Sequence, residues 1–562
     1  MKRFNKYSIL ILLILFASCS DYLDRSPLVF PSDETFISNE AELEQAVTAC
    51  YNPLRFTMAN RPFPLFFETV SDISWGREST DMQIIGNGSQ DARTESIQAA
   101  WTYFYTGIGR CNYVLTNMER CQAVVKESLY KQRMSEVRFL RALYYHYLSE
   151  LFGGVPLFTK VLTLSESQIE RNTKEDVVDF ILRELEECAA GFTSQEDLST
   201  GRASKEAAWS LASRVALYNG KWDVAIRNAQ KVMEQEGSRV VLSSSYENLF
   251  LYAGEKSKEI IFALQYLRGN KTHVLFGGFA SRNANGYANI IPTYQLADSW
   301  ECTDGLPIDK SPLFDPQHPF KNRDPRLGYT LALPGSVFLG YQFETHSDSL
   351  QCWNYNVTPN VRIANKDATH AYASFSGLCW RKYTDLKDLS FINDSELNIT
   401  LIRYGEVLLN YAEAKIESGS VDQTVLDAIN KIRQRPSVNM PPVTSVNQNE
   451  LRNIVRRERK YELSGEGLRL FDIRRWKIAE KVMPLPVLGR MKKSYPEKAP
   501  VIDELGTSYY HDIPVASGSE STDYKMRVVQ IRLFDKNKDY LWPIPDIEIE
   551  ANPKLKQNPG YE

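Results

Sequence analysis

Aromatic side chains in irregular segments are the residues of this chain best suited to bind a ligand. Trp75 lies between Asp72 and Arg77, in a Ser-Asp-Ile-Ser-Trp-Gly-Arg segment that is followed closely by Gly86-Asn87-Gly88. A Trp or Tyr ring offers a flat apolar face for stacking. Carboxylate, amide and guanidinium groups supply planar hydrogen-bonding partners for hydroxyls. This segment is therefore predicted to be an exposed loop that contacts a flat, hydroxyl-rich ligand.

Two other segments carry the same combination of side chains. The first is a Gly/Asn-rich stretch with Asn283, Asn285 and Tyr287. The second is the irregular region 336–362, with the candidates Phe338, Tyr341, Trp353 and Tyr355. Binding residues concentrate on loops that a rigid scaffold positions, so we expect these side chains to lie on the ligand face.

No motif in the chain indicates catalysis. None of the six histidines stands in an H-E-x-x-H arrangement, and neither G-x-S-x-G nor a P-loop occurs. A glycosidase pair is defined by the distance between two carboxyl groups, which sequence spacing does not reveal. We therefore expect no catalytic residues and no cofactor, while calcium binding is not readable from the sequence. The Arg/Glu-rich run from Arg456 to Trp476 is predicted to be structural, its charges binding helix termini and one another.

The N-terminus has the pattern of an export signal. Lys2, Arg3 and Lys6 precede a short apolar run that ends in Ala17-Ser18-Cys19. A cysteine after two small residues is typical of a bacterial lipoprotein signal, although Phe16 stands where such signals usually have Leu. We predict that residues 1–18 are removed and that acyl chains on Cys19 anchor the product to a membrane. The acids that follow, in Ser-Asp-Tyr-Leu-Asp, resemble a tag for the cell surface.

Composition excludes some classes of partner. The net charge of −4 and the pI of about 6.0 come without a basic stripe, so nucleic acid is not an expected ligand. The seven cysteines after Cys19 are scattered and include no C-x-x-C, which is neither a zinc pattern nor a disulfide framework. One or two disulfides could form in an oxidising compartment, but their pairing cannot be read from spacing.

Helical periodicity predicts a mainly α fold. It dominates residues 41–240 and returns at 400–480, whereas 240–400 is rich in Gly, Asn, Pro and aromatics, with short strands such as 259–264. Tyr218-x-Gly220-x-Trp222 places a glycine turn between two helices and resembles a tetratricopeptide hairpin. A second hairpin is predicted at 403–435, its second helix capped by Ser420-x-x-Gln423. We expect both hairpins in one scaffold, with 240–400 as the variable ligand-binding region.

A series of motifs resembles the SusD/RagB family. In chain order they are Glu136-Val-Arg-Phe-Leu-Arg-Ala with Phe152-Gly-Gly-Val-Pro-Leu, Gly201-Arg-Ala-Ser, Arg403-Tyr-Gly-Glu with Tyr411-Ala-Glu-Ala, Asn430-Lys-Ile-Arg, Arg457-Glu-Arg-Lys-Tyr-Glu-Leu with Gly467-Leu-Arg and Asp472-Ile-Arg-Arg-Trp, and Leu541-Trp-Pro-Ile-Pro with Gln557-Asn-Pro-Gly-Tyr. The resemblance spans nearly all of residues 19–562.

The resemblance implies a non-catalytic, lipid-anchored protein of the outer membrane that faces the cell surface. Such proteins capture oligosaccharide and deliver it to a TonB-dependent barrel of the SusC type. The resemblance further implies that the loop carrying Trp75 lines the ligand face.

Two alternatives remain open from the sequence. RagB-type relatives serve peptide uptake, and tetratricopeptide grooves can serve as plain protein-interaction scaffolds. A test of glycan and peptide binding distinguishes glycan capture from peptide capture, and a pure interaction scaffold would bind neither ligand.

Overall fold

The computed structural model describes residues 35–77, 80–193 and 197–562 and shows a mainly α-helical chain with short strands. The helices are α1 Glu40–Tyr51, α2 Phe63–Thr69, α3 Thr80–Gly86, α4 Glu95–Asn117, α5 Glu127–Phe152, α6 Lys174–Gly191, α7 Lys205–Tyr218, α8 Trp222–Met233, α9 Leu275–Phe279, α10 Tyr294–Ser299, α11 Pro325–Thr330, α12 Lys366–Thr369, α13 Tyr404–Glu417, α14 Gln423–Arg433, α15 Gln448–Leu463, α16 Arg469–Arg475, α17 Ala479–Val482 and α18 Asp546–Ala551. The strands are β1 Thr57–Met58, β2 Arg61–Pro62, β3 Ser74–Gly76, β4 Ile260–Leu264, β5 Ile290–Pro292, β6 Leu331–Ala332, β7 Val337–Phe338, β8 Tyr341–Gln342, β9 Gln351–Asn354, β10 Val361–Ala364, β11 Cys379–Trp380, β12 Ile399–Arg403, β13 Val487–Gly489, β14 Val501–Ile502, β15 Ser508–Tyr509 and β16 Arg527–Gln530. The predicted fold class is confirmed.

The long helices form one scaffold in which each helix packs on its neighbours in the chain. Helices α4 to α8 pack in succession, and α8 then packs on α13, which contacts α14 and α15. Gly220 adopts a φ of 71° at the α7–α8 turn, and Gly419 adopts a φ of 77° after α13, a conformation that favours glycine. Both predicted hairpins therefore form, and they pack together.

Helix caps follow the sequence with one exception. Thr173 and Asp176 form a capping box at the start of α6. The predicted box from Ser420 to Gln423 is wrong, because the side chain of Asp422 instead accepts the backbone N–H of Thr424 at the start of α14. Aspartate and serine are comparable N-cap residues, so residue type alone did not choose between Ser420 and Asp422. With Asp422 as the cap, α14 begins two residues later than the predicted box indicated.

The irregular region leaves and rejoins the scaffold at one point. Strand β4, at the predicted position, pairs antiparallel with β12, and a bulge interrupts their register. Between them lie short helices, turns and the antiparallel sheet β10-β9-β8-β7. Both ends of the ligand-binding candidate region are thus joined to each other.

A buried ion network surrounds this junction. Glu462 on α15 accepts hydrogen bonds from Arg403 at 2.8 Å, Arg435 at 2.7 Å and Arg326 at 3.0 Å. Glu259, beside β4, also binds Arg403 and Arg435, each at 2.8 Å. All five side chains are essentially inaccessible to solvent. The Arg/Glu-rich run is structural, as predicted.

Tryptophans divide between the core and the surface of the scaffold. Trp300 and Trp542 are fully buried, and Trp542 packs near Phe67 and Phe152. Trp209 on α7 is only half-buried and lies near the ammonium groups of Lys205 and Lys231. Trp101 and Trp476 are also buried, whereas Trp222 is partly buried.

Among the described residues, the structure contains neither a disulfide nor a helix suited to span a membrane. The seven cysteines from Cys50 to Cys379 are buried free thiols. In the ranges that the structure describes, no helix has the length and apolar character needed to cross a bilayer. Cys19 lies outside the described residues, so lipidation there stays a prediction.

The burial difference between tryptophans has a measurable consequence. Trp542→Ala should lower the free energy of unfolding by about 3–5 kcal/mol, because it leaves a large cavity in the core. Trp209→Ala should cost only about 1 kcal/mol, since part of its ring already faces water. Urea denaturation of both variants measures the difference, and equal losses would contradict this assignment.

The ion network predicts a pH-dependent stability difference. Burial opposes ionisation of Glu462, but Arg435, Arg403 and Arg326 hold its pKa well below the usual value of 4.5. Glu462→Gln should therefore destabilise the protein by about 3–5 kcal/mol at pH 7, since it leaves buried arginines uncompensated.

The sign of the pH effect follows from the depressed pKa. Stability from Glu462 is fully present above the unfolded pKa and declines as the pH falls toward the folded one. The difference in the free energy of unfolding between wild type and Glu462→Gln should therefore become smaller below about pH 4.5. Urea denaturation at a series of pH values measures this difference. Glu127→Gln, which removes an exposed i,i+4 ion pair with Lys131, serves as control and should leave stability nearly unchanged, because solvent screens exposed ion pairs. A gap that does not change with pH would refute the role of Glu462.

Candidate functional site

A tight hairpin forms one wall of a large cleft. Strands β1 and β2 pair across a two-residue turn in which Ala59 and Asn60 have φ values of 47° and 61°. Two positive φ values are typical of a type I′ turn. Asn tolerates this conformation, whereas Ala is uncommon in it. Asn60 is exposed at the turn, and the Arg61 guanidinium donates to the backbone carbonyl oxygen of Asn60 at 3.1 Å.

The cleft has a volume of about 950 Å³ and lies between the hairpin and the start of α4. A neighbouring hollow of about 300 Å³ shares Thr57, Asn60 and Arg61 with it. We call the two together the groove. Its lining is Thr57, Met58, Ala59, Asn60, Arg61, Asp81, Met82, Ile84, Ser89, Asp91, Arg93, Thr94, Glu95, Ser96, Ala99, Thr272, His273, Val274, Asn289 and Asn393. Amide and guanidinium groups on this lining can pair with hydroxyls on a ligand.

Charged groups of the groove are largely engaged in holding its walls. Asp81 accepts the backbone N–H of Ser96 at 2.7 Å, and Asp91 accepts that of Arg93 at 2.9 Å. The side chain of Arg93 pairs with Asp546 at 3.0 Å. Burial lowers the pKa of His273 to about 4, so this imidazole is neutral at pH 7. The acids therefore cap and connect backbone segments, which is a structural use.

Tyr103 is an exposed ring close to residues that line the groove. It lies one helical turn beyond Ala99 on α4, with 43% of its surface exposed. Its ring stacks on Phe56 at 4.8 Å between centroids and 17° between planes, and Phe56 directly precedes Thr57 of the lining. Phe56 thus fixes a tyrosine ring at the groove rim.

Tyr287 is a second exposed ring, in contact with the lining residue Asn393. The hydroxyl of Tyr287 accepts a hydrogen bond from the Asn393 amide at 2.8 Å, and 37% of the residue is exposed. Asn285 is also exposed and has a φ of 59°. Both predicted residues lie on the surface.

Arg77 joins Tyr287 to a third exposed ring. Its guanidinium donates to the carbonyl oxygens of Tyr287 and Tyr372, each at 2.8 Å. It also lies 5.2 Å from the ring centroids of Tyr372 and Phe375. Tyr372 is 57% exposed. The predicted ligand residue Arg77 therefore holds two aromatic segments together.

Two predictions for the segment 71–77 are wrong. Trp75 lies in strand β3, paired with Ile291 of β5, and is only 5% exposed. Its ring stacks on Phe375 at 5.7 Å, inside a small core, so no face is free for a ligand. Asp72 pairs with Arg469 through two hydrogen bonds of 2.8 Å. Burial opposes ionisation of Asp72, yet Arg469 holds its pKa below the usual range.

Two candidates of the later segments are also buried. Asn283 donates to Asp367 at 2.8 Å and Asn365 at 3.0 Å, beneath the Tyr287 loop. Phe338 packs edge-on against Phe343 in a small apolar cluster. The prediction that these two side chains face the ligand is wrong, since each is used to position a loop.

The remaining candidates lie on the β7–β10 sheet. Trp353 and Tyr355 are exposed, and Tyr341 is partly exposed. The guanidinium of Arg362, on the neighbouring strand, lies 5.3 Å from the Trp353 ring centroid. The sheet is joined to the Tyr287 loop through Asn283, which donates to Cys352 Sγ at 3.3 Å. These rings stay candidates for ligand contact.

Sequence reasoning missed Tyr103, Tyr372 and the groove between separate segments. A signal for Tyr103 was present, because Trp-Thr-Tyr-Phe-Tyr at 101–105 places more aromatics on one helix than a single buried stripe can hold. No comparable signal marks Tyr372. Across 35–77, 80–193 and 197–562, no cluster of three His, Cys, Asp or Glu side chains is arranged as metal ligands.

Comparison with known proteins agrees with this architecture. A SusD-like carbohydrate-binding protein from Bacteroides fragilis superposes with a TM-score of 0.77 and 30% identity, covering 93% of this chain and 100% of that one. A SusD-like protein from Bacteroides ovatus is 24% identical over 100% of this chain and 99% of its own length. The starch-binding protein SusD of Bacteroides thetaiotaomicron is 26% identical, over 63% of this chain and 66% of its own.

Family models match both halves of the chain. The model described as "Starch-binding associating with outer membrane" matches residues 21–217. The model described as "SusD family" matches residues 258–561, which is more than half of the chain. Together with the helical-pair scaffold, these matches show that the chain belongs to the SusD family.

Proposed function

We propose that this protein captures oligosaccharides without hydrolysing them and presents them to a transporter. The observation that carries the proposal is the groove together with two exposed tyrosine rings beside its lining, Tyr103 held by Phe56 and Tyr287 held by Asn393. Aromatic faces stack on the apolar side of a pyranose, and amide groups between them pair with hydroxyls. Support comes from a relative named as starch-binding and from a solved structure named as carbohydrate-binding.

A binding role fits the chemistry of the groove better than an enzymatic one. Glycoside hydrolysis needs two carboxyl groups free to act on one glycosidic bond. In the groove Asp81 and Asp91 accept backbone N–H groups instead. The groove is also open along its length, so that it suits weak capture and release of a chain.

The cellular setting of the proposal comes from the family and from the N-terminal pattern. Lipidation at Cys19 would hold the protein at the outer membrane, in keeping with the description of the matching family model. The transporter would be a SusC-like TonB-dependent barrel, to which the bound oligosaccharide is passed. Peptide capture of the RagB type is the alternative outcome of the binding test.

Removing the ring of Tyr103 or of Tyr287 should weaken glycan binding while the protein stays folded. A stacked ring contributes about 0.5–1.5 kcal/mol beyond area burial, so Tyr103→Ala and Tyr287→Ala should each lower affinity by roughly two- to tenfold. Isothermal titration calorimetry across a panel of oligosaccharides measures this, and intact glycan recovered afterwards checks for turnover.

Trp209→Ala provides the matched control, because it removes an aromatic ring from the helical scaffold instead of the groove. It should leave glycan affinity unchanged. Binding of peptides and of no glycan would favour the RagB-type function. Binding that is equally strong in both tyrosine variants would place the site elsewhere.

The anchor is tested separately from binding. Cys19→Ala should abolish acyl labelling and release the protein from the outer membrane, because stable attachment needs two lipid signals or several acyl chains. Fractionation and protease shaving of intact cells measure location. Retention of the variant in the membrane would contradict lipid anchoring at Cys19.

A further inference from the structure

A patch of cationic side chains lies beside the exposed tyrosines. We call Arg77, Arg282, Lys366 and Arg527 the cationic patch. Arg282 donates to the carbonyl oxygen of Gly286 at 3.1 Å, next to Tyr287. Arg527 lies 3.6 Å from the Phe375 ring centroid, and Arg77 lies 5.2 Å from the same centroid. Arg77 and Arg527 therefore lie over the same aromatic ring, and Arg282 lies beside Tyr287. Lys366 belongs to the patch because its charge acts on His370 together with those of Arg282 and Arg77.

The local field of the patch is positive. His370 accepts hydrogen bonds from the Arg282 guanidinium at 3.2 Å and from the backbone N–H of Tyr372 at 3.0 Å, as a neutral imidazole does. Burial lowers the pKa of His370, and the positive charges of Arg282, Arg77 and Lys366 lower it further. Burial and Arg77 likewise lower the pKa of Arg527. These groups repel one another, so an anion placed among them would be stabilised.

The carboxylate beneath the patch is already engaged. Asp367 is 3% exposed and accepts the backbone N–H of Arg282 at 2.6 Å and the amide of Asn283 at 2.8 Å. Within the described part of the chain, neither Lys366 nor Arg527 forms an ion pair. Lys366 is exposed at the start of α12, where its backbone N–H is held by the Asn283 side chain at 2.9 Å.

The position of the patch contrasts with the charge of the whole chain. The chain carries a net charge of −4, which on its own disfavours acidic ligands. Positive charge concentrated beside exposed rings offsets that repulsion at one place. Guanidinium groups match carboxylate and sulfate geometry with two parallel hydrogen bonds.

We propose that the oligosaccharide bound by this protein is anionic, carrying carboxylate or sulfate groups that the cationic patch pairs with while Tyr287 and Tyr372 stack on the sugar rings. This inference rests on the proposed glycan-binding function and specifies its ligand class. Lys366 and Arg527 act as the charge-selecting residues, and Arg77 holds the tyrosine segments.

The test uses ligands that differ only in charge. Oligogalacturonate is compared with its methyl ester, and sulfated carrageenan oligosaccharides are compared with their desulfated forms, all by calorimetry on the full mature chain. The acidic member of at least one pair should bind roughly tenfold more tightly than its neutral form at low salt. Raising NaCl from about 20 to about 300 mM should remove most of that difference, because exposed charges are screened.

Two variants assign the effect to the patch. Lys366→Gln and Arg527→Gln should each lower affinity for the acidic ligand by roughly three- to tenfold and leave affinity for the neutral ligand unchanged. Lys256→Gln is the control, because it removes an exposed lysine whose charge acts on Asp197 and not on the patch. It should change the affinity for neither the acidic nor the neutral ligand. Lys366 is fully at the surface, so its variant keeps the test valid if Arg527→Gln is unstable.

The outcomes separate this inference from the function on which it rests. Binding of neutral glycans alone, or equal affinity within every pair, overturns the anionic ligand and leaves glycan capture standing. No binding of any glycan refutes both. Preference for the carboxylated pair or for the sulfated pair identifies which anion the patch selects.

Discussion

The convergence of three arginines on the buried carboxylate of Glu462 is the interaction on which the rest of the structure depends. Arg403 ends β12, and Glu259 flanks β4, so the network joins both ends of the irregular region to α15. Ions taken out of water are stable only when each is paired in good geometry. The network therefore allows one arrangement of the junction, and it determines where the loops between β4 and β12 begin.

Loops fixed in this way meet the N-terminal part of the scaffold to form the groove. The β1–β2 hairpin and α4 supply one side, while Thr272, Asn289 and Asn393 come from the irregular region. Arg77 then links the segment after β3 to the carbonyl oxygens of Tyr287 and Tyr372. The proposed ligand face is thus a product of contacts between segments more than two hundred residues apart. Rings held on such a rigid frame lose little entropy when a ligand binds.

The same arrangement explains why one surface combines stacking with positive charge. Phe375 is contacted by Trp75 from the interior and lies within reach of Arg77 and Arg527. Trp75 is buried beneath the Phe375 ring and has no exposed face of its own. The segment 71–77, which was predicted to be a binding loop, instead packs against the loop that carries Phe375.

Local pattern in the sequence was enough to determine the helices, the two hairpins, the strand at 259–264, the structural use of the Arg/Glu-rich run and the family. Periodicity of 3.6 residues, glycine turns and caps act over a few residues, so these features do not depend on distant contacts. Exposure of individual aromatics was decided only by the tertiary structure. Trp75 and Tyr287 both lie in polar, glycine-containing segments, yet pairing with β5 buries the first, and the Asn393 and Arg77 contacts hold the second at the surface. The burial of an aromatic side chain depends on which distant strand or loop packs against it. Residue type and spacing therefore could not distinguish Trp75, which is buried, from Tyr287, which is exposed.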